Sequence, residues 1–292
     1  MLTNTKEMLE KARNGKYAVP HFNINNLEWT RFILEECEKN NSPVILGVSE
    51  GAKKYMGGFN VVSAMVKELI KSLNIKVPVA LHLDHGSSVE SCIEAINNGF
   101  SSVMIDASKY DLETNIKMTK EVVEYAKKYD ITVEAEVGHI GGSEDGISSE
   151  LAYAKVEDAV RLYKETNIDS IAPALGSVHG IYKGEPKLDF EKMKEIADLT
   201  QIPLVLHGGS GIDDEKIRKA ISSGICKLNI NTELQMEWAS AVRKFVNESN
   251  DYDPRKIIKS GEIAMKEAIR HKIELLGSSK HPNFKEIQAL IK

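Results

Sequence analysis

An α/β fold closed as a (β/α)8 TIM barrel is the class this sequence predicts, as one domain over residues 1–292 with a helix before the barrel and a helical extension after it. Three observations carry that expectation. Eight apolar runs of strand length are bounded by turn residues, helix-period segments lie between them, and the runs recur at about the length of one βαβ crossover. Strict alternation of strand and helix implies right-handed βαβ units and a parallel sheet. A count of eight favours closure over an open doubly wound sheet, the remaining alternative. No strand-to-helix turn carries GxGxxG, or GxxxxGK followed by Ser or Thr, the phosphate cradles of open-sheet nucleotide binders.

Taken in order, MLTNTKEMLEKARNGKY is polar and charged, lacks the apolar core of a signal peptide, and reads as an amphipathic helix. AVPHFNI (18–24) is the first strand, and LEWTRFILEECEKN has helical periodicity behind it. PVILGVS (43–49) and VPVALHLD (77–84) are the second and third, the latter leading into the helical SVESCIEAINNG. SSVMIDA (101–107), helical TNIKMTKEVVEYAKKYD and TVEAEVG (132–138) continue the alternation. SIAPALG (170–176) follows helical KVEDAVRLYKETN, and PLVLHG (203–208) precedes helical DDEKIRKAISSG. CKLNIN (226–231) is the eighth strand, with TELQMEWASAVRKFV and DYDPRKII beyond it. Several helices open on Ser, Thr or Asp caps and close on Gly or Asn.

At 42% hydrophobic and 28% charged residues the chain can bury a sizeable core, and no low-complexity stretch marks a linker. A net charge of −5, with Lys interleaved among Glu and Asp, argues against a nucleic-acid surface, which wants a clustered basic excess. No apolar run approaches the roughly 20 residues that span a bilayer, so no membrane partner is expected. Cys37, Cys92 and Cys226 share no CxxC spacing and leave an odd count, which disfavours a disulfide framework and points to a reducing cytoplasm.

In a barrel, function collects where the strands end and the βα loops gather. Asn23 ends the first strand, Ser49 the second, Asp84 and His85 the third, Glu134 and Glu136 the fifth, His207 the seventh, and Asn229 and Asn231 the eighth; His179 lies in the loop after the sixth. His85, His179 and His207 thus come from separate strands, the ligand count of a catalytic zinc with open positions. His82, one alternation before Asp84, suits a supporting partner, while His21, His139, His271 and His281 read as structural or solvated. The plainer alternative is a satisfied polar cluster at each strand end.

GSVHGIYKGEP (176–186) and HGGSG (207–211) surround two of these histidines with glycines whose N–H groups can approach an anion, and Ser210 and Lys183 could complete a phosphate nest. The helix after HGGSG would add its dipole. Tight turns alone would also account for the glycines. The longest βα connection, GHIGGSEDGISSELAYAK (138–155), reads as a mobile lid in which Glu144 or Asp145 is a proton-transfer group, or else as a surface loop.

LHLDHG, EAEVGHIGGSEDG, ALGSVHGIYKGEP, LVLHGGSGI, LNINTELQ and DPRKI, in that order between about Ala18 and Gly277, resemble the class II, zinc-dependent fructose-bisphosphate aldolases, of the shorter subgroup that also contains tagatose-bisphosphate aldolases. The resemblance implies Zn2+ on His85, His179 and His207, Asp84 as acid/base at the C4 hydroxyl, and Glu144 as the lid carboxylate that exchanges the C3 proton of dihydroxyacetone phosphate. Glu136 falls on a carboxylate near the metal. Gly180, Gly208, Ser210, Asn229 and Thr232 fall in the triose-phosphate site, and Asn23 and Ser49 on contacts to substrate hydroxyls. Val178, Gly180 and Gly208 carbonyls with Ser210 resemble a monovalent-cation site, for Na+ or K+. Asn231 stands where longer members carry aspartate, and Ser143 where they carry the first of two acidic residues. Arg255, in DPR, is expected to reach the substrate of a neighbouring subunit, which makes the chain a homo-oligomer, either a dimer or a dimer of dimers.

The implied reaction is reversible cleavage of fructose 1,6-bisphosphate into dihydroxyacetone phosphate and glyceraldehyde 3-phosphate, with its C4 epimer, tagatose 1,6-bisphosphate, as the alternative. The residues agree with that chemistry independently, because a retro-aldol step needs an electron sink and a metal on three imidazoles is one. A Schiff-base lysine is the other solution, and only Lys227 lies within a predicted strand.

Overall fold

The computed structural model describes residues 2–144, 147–182 and 184–280. In chain order the elements are α1 (Lys6–Gly15), β1 (Val19–Asn23), α2 (Leu27–Lys39), β2 (Val44–Val48), α3 (Glu50–Met56), α4 (Phe59–Ser72), β3 (Val79–Gly86), α5 (Val89–Asn97), β4 (Ser102–Ile105), α6 (Leu112–Lys127) and β5 (Thr132–Val137). There follow β6 (Gly141–Glu144), β7 (Ile147–Ser149), α7 (Val156–Thr166), β8 (Ser170–Pro173), β9 (Val178–His179), α8 (Phe190–Thr200), β10 (Leu204–Leu206), α9 (Asp214–Ser222), β11 (Ile225–Ile230), α10 (Thr232–Glu248), α11 (Pro254–Lys259) and α12 (Glu262–Leu276).

All eight expected strands form, and they close into a barrel in the order β1-β11-β10-β8-β5-β4-β3-β2 with parallel pairing. The closure is the one that right-handed βαβ units of this length favour. Asn26, Ser88, Asp111 and Asp189 cap α2, α5, α6 and α8 by accepting a first-turn N–H. Each such cap contributes about 1 kcal/mol and fixes where its βα loop ends.

The amphipathic α1 seals the N-terminal end of the barrel. Its Met8, Leu9 and Ala12 pack on Val19, Ile45, Ala80 and Cys226, a small apolar cluster separate from the main core between strands and helices. With one end sealed, the opposite end, where the strands finish, is the open one. A further sheet lies there: β6 and β7 form an antiparallel hairpin, and β6 pairs in parallel with β9. The length and the glycine-rich, polar composition of 138–155 suggested a lid loop in this stretch and did not suggest strands.

Candidate active site

Asp84 and His85 are adjacent, so ordinary strand pleating would aim them at opposite faces. A register shift between Leu83 and Gly86 against β4 breaks the alternation, and His85 adopts φ 50°. Such a bulge re-aims a side chain at a strand end. Both residues consequently serve one mouth. His85 Nε2 lies 3.9 Å from Asp84 Oδ1.

His179 arrives on β9, held by β6, and the fit is close at Gly142: a Cβ there would sit 2.2 Å from the His179 carbonyl oxygen, at φ 104°. His207 follows β10. A Cβ on Gly208, at φ 63°, would lie 2.1 Å from the Val178 carbonyl oxygen, so the two histidine-bearing loops meet only because glycine stands there. His85, His179 and His207 each offer a ring nitrogen within 4.8 Å of the others, and the His85 and His179 Nε2 atoms are 3.2 Å apart.

The outer edges of two rings are engaged. His85 Nδ1 lies 2.8 Å from Asp106 Oδ2, and His207 Nε2 lies 3.0 Å from Glu134 Oε1. A carboxylate on one ring nitrogen fixes the tautomer and leaves the other nitrogen as the electron-pair donor. Burial lowers the pKa of His179 well below the ordinary value, with the neighbouring His85 and His207 adding to the shift, which favours the neutral, ligating form. Burial would also lower His85, but Asp84 and Asp106 outweigh it and raise it well above the ordinary range, the signature of a place that wants positive charge. Three convergent imidazoles inside a ring of carboxylates fit a divalent cation, whose charge would take the place of the proton that the carboxylates hold on His85.

Asp84 is 2% exposed. It accepts from Asn23 Nδ2 at 2.9 Å and faces Asn229 Nδ2 at 3.5 Å and His21 Nε2 at 3.7 Å. Burial would raise its pKa, yet His21, His85, His207 and Lys227 together hold it well below the usual carboxylate range. Glu136 behaves in the opposite way, since burial and the nearby Asp106 push it up to about 8. It accepts from the Ile140 N–H and stands 3.7 Å from His85 Nδ1.

The cleft at the mouth is lined by Asn23, Asp84, His179, Gly180, His207, Gly208, Ser210, Asn229, Asn231 and Thr232. Thr232 opens α10, and the Glu233 N–H donates to Ser210 Oγ at 3.0 Å. It is therefore the start of α10 that borders the glycine loop, whereas the sequence suggested the helical segment DDEKIRKAISSG, which begins at Asp213; no residue of α9 is among those lining the cleft. The Gly208 carbonyl accepts from the Tyr182 hydroxyl at 2.9 Å, and the Val178 N–H donates to that same hydroxyl at 3.1 Å.

His85, Glu136 and Val178 adjoin this lining without belonging to it, and Ser49 and Arg255 have partners of their own. Ser49 caps α3, accepting from the Ala52 N–H, and Arg255 is 89% exposed in its side chain and ion-paired to Asp253 at 2.7 Å. Lys183 and Asp145 lie outside the described residues, as does the side chain of Glu144, whose backbone ends β6. Three neighbours of the site were not placed there by the sequence: Asp106 behind His85 was not singled out, His21 beside Asp84 read as structural, and Lys227, noted only as a possible Schiff-base lysine, is bound to Glu134 at 2.8 Å. Asp106 had a signal, because it ends the fourth predicted strand as the other site residues end theirs. Lys227 is fully buried inside the barrel, but an ammonium committed to a carboxylate is a poor amine nucleophile.

Residues 3–281 match the family model described as fructose-bisphosphate aldolase class-II. A fructose-bisphosphate aldolase of Geobacillus stearothermophilus is 56% identical over 280 residues, covering 95% of this chain and 98% of that one. A 6-phospho-5-dehydro-2-deoxy-D-gluconate aldolase of Bacillus subtilis is 50% identical over 275 residues, covering 94% and 95%. Among solved structures, the YdjI aldolase of Escherichia coli K12 superposes with a TM-score of 0.84 at 36% identity, covering 96% and 98%. A fructose-bisphosphate aldolase of Campylobacter jejuni gives 0.79 at 28% identity, covering 93% of each chain.

Proposed function

Because the chain belongs to the class II fructose-bisphosphate aldolase family, whose members are lyases, we propose that it cleaves fructose 1,6-bisphosphate reversibly into dihydroxyacetone phosphate and glyceraldehyde 3-phosphate at the cleft just described. The convergence of His85, His179 and His207 beside a buried, ionised Asp84 is the observation that carries this reading. The tagatose epimer is not favoured, since the fructose-bisphosphate name is the one that recurs among close relatives.

Zn2+ held by His85, His179 and His207 would supply Lewis-acid stabilisation of the charge that develops on the C2 oxygen. The chain's own residues do the rest. Asp84, ionised and oriented by Asn23 and Asn229, takes the proton of the C4 hydroxyl; the C3–C4 bond breaks, its electron pair stays on the dihydroxyacetone phosphate half, and C4 leaves as the aldehyde. Glu144 delivers the proton that C3 then takes up, and Asp84 returns its proton in the synthetic direction. Glu136, whose pKa burial and Asp106 push up to about 8, adds a carboxyl to the metal surroundings beside Asp84 and Asp106.

Gly180, Gly208, Ser210, Asn229, Asn231 and Thr232 form the triose-phosphate site, where glycine N–H groups and the start of α10 receive the anion. Lys183 adds charge to it. The carbonyls of Val178, Gly180 and Gly208 with Ser210 Oγ are the donors for a monovalent cation, Na+ or K+; the Gly208 oxygen keeps a second lone pair beside the Tyr182 hydroxyl. Asn23 and Ser49 contact substrate hydroxyls, and Arg255 serves the distal phosphate of a second subunit in a cytoplasmic homo-oligomer. No helix among the described residues is long and apolar enough to cross a membrane.

The test pairs metal analysis with substrate ranking. The protein should hold about one zinc per chain, lose cleavage on chelation, and regain it with added Zn2+. Full activity in the metal-stripped chain would refute the site. Values of kcat/KM for fructose and tagatose bisphosphates and for 6-phospho-5-dehydro-2-deoxy-D-gluconate should rank the fructose ester first; the sugar acid belongs in the panel because a relative at 50% identity bears its name.

A further inference from the structure

Beneath the cleft the barrel interior holds charge where branched aliphatic side chains ordinarily fill it. Lys227 on β11 and Glu134 on β5 are 0% and 2% exposed, and Lys227 Nζ lies 2.8 Å from Glu134 Oε2. The other oxygen, Glu134 Oε1, lies 3.0 Å from His207 Nε2. His82 borders the same carboxylate, its Nε2 3.8 Å from Glu134 Oε2 and its Nδ1 2.8 Å from Ser102 Oγ. Desolvating two ions is costly, and hydrocarbon of the same volume often serves stability equally well. A buried pair whose one free oxygen sits on a candidate metal ligand has another use.

We propose that Lys227 and Glu134 are positioning residues for the metal centre: Lys227 pins one oxygen of Glu134, and the other accepts the Nε2–H of His207, so that His207 offers Nδ1 to the ion. Asn229 Nδ2, at the cleft that both residues line, lies 3.1 Å from His207 Nδ1 and 3.5 Å from Nε2, and an amide N–H donated to the nearer nitrogen suits an Nδ1 that carries no proton. Without the lysine, the carboxylate could rotate toward His82, and His207 would lose its fixed tautomer. Partners behind metal-binding histidines typically govern ten- to hundredfold of affinity. The inference rests on the reading that His85, His179 and His207 hold a divalent cation.

The experiment uses the full chain stripped of metal, with zinc titrated against a chromophoric chelator, on wild type, Glu134→Gln, Lys227→Met and the double variant. Each single variant leaves a partner unmatched and should lower both Tm and zinc affinity. The double variant removes both charges, so its Tm should return toward wild type while its zinc affinity stays at least about tenfold weaker. Zinc bound as tightly by the double variant as by wild type would overturn the proposal and leave the pair a purely structural feature. Independently, 15N spectra of histidine-labelled wild-type protein without metal should show His207 as the Nε2–H tautomer; the Nδ1–H tautomer would overturn the proposal even if no variant folds. Failure of the wild-type chain to take up zinc would refute the metal site itself, a separate result.

Discussion

His85 holds a left-handed backbone conformation that costs a non-glycine residue about 1–2 kcal/mol, and the surrounding structure must over-determine it. The bulge lets one strand present the proposed base, Asp84, and the proposed metal ligand, His85, side by side. Asp84→Ala should retain zinc, whose expected ligands are untouched, and lose cleavage by at least about 10²-fold in kcat. Loss of zinc in that variant would make Asp84 a metal ligand rather than the base. Gly47 acts by absence: a Cβ there would lie 1.9 Å from His21 Nε2, and His21 in turn sits 3.7 Å from Asp84. Gly47→Ala should therefore destabilise the fold by about 1–3 kcal/mol, the cost of overpacking, and lower kcat through Asp84. Denaturant unfolding and steady-state kinetics read the two effects, and an unchanged midpoint would show that His21 can move aside.

At the scale of elements, the two ends of the barrel have different tasks. Leu9 of α1 is 1% exposed and lies in the apolar cluster that seals the N-terminal end, away from the mouth. Leu9→Ala should cost about 2–5 kcal/mol of stability while leaving kcat at 25 °C near wild type. A large fall in kcat with little loss of stability would show that the seal also shapes the site. At the mouth, β6 clamps β9 and so carries both His179 and Glu144 on one small sheet. That pairing couples a proposed metal ligand to the proposed proton donor at C3.

At the scale of the molecule, α10 buries only Leu234 among its residues and leads to α11, where Arg255 projects into solvent against its own Asp253. A surface ion pair of this kind is weak and easily exchanged for a phosphate. If Arg255 works in a partner's site, Arg255→Ala and His85→Ala chains, each nearly inactive, should complement when refolded together. About a quarter of wild-type activity per chain is expected, since roughly half of random dimers are mixed and each has one complete site of two. Mixed dimers without recovered activity would remove Arg255 from the partner's site.

The eight strands and most intervening helices were legible because their signals are local: apolar runs, helical periodicity, caps and turn glycines act within a few residues of one another. The segment between β2 and β3 received no helix from that reading and holds α3 and α4. Closure of the barrel was legible only as a count. The sequence by itself therefore determined the alternation, and with it which residues stand at strand ends, Asp84, His85 and His207 among them. Tertiary structure alone decided what those residues touch. The Asn229–Asp84 contact spans 145 positions, and the Lys227–Glu134 pair spans 93. Such pairs exist only once the closed sheet turns alternate residues of distant strands into one interior. The bulge at His85 and the β6–β9 pairing were hidden for the same reason, since each depends on a neighbouring strand's register, which no local pattern encodes.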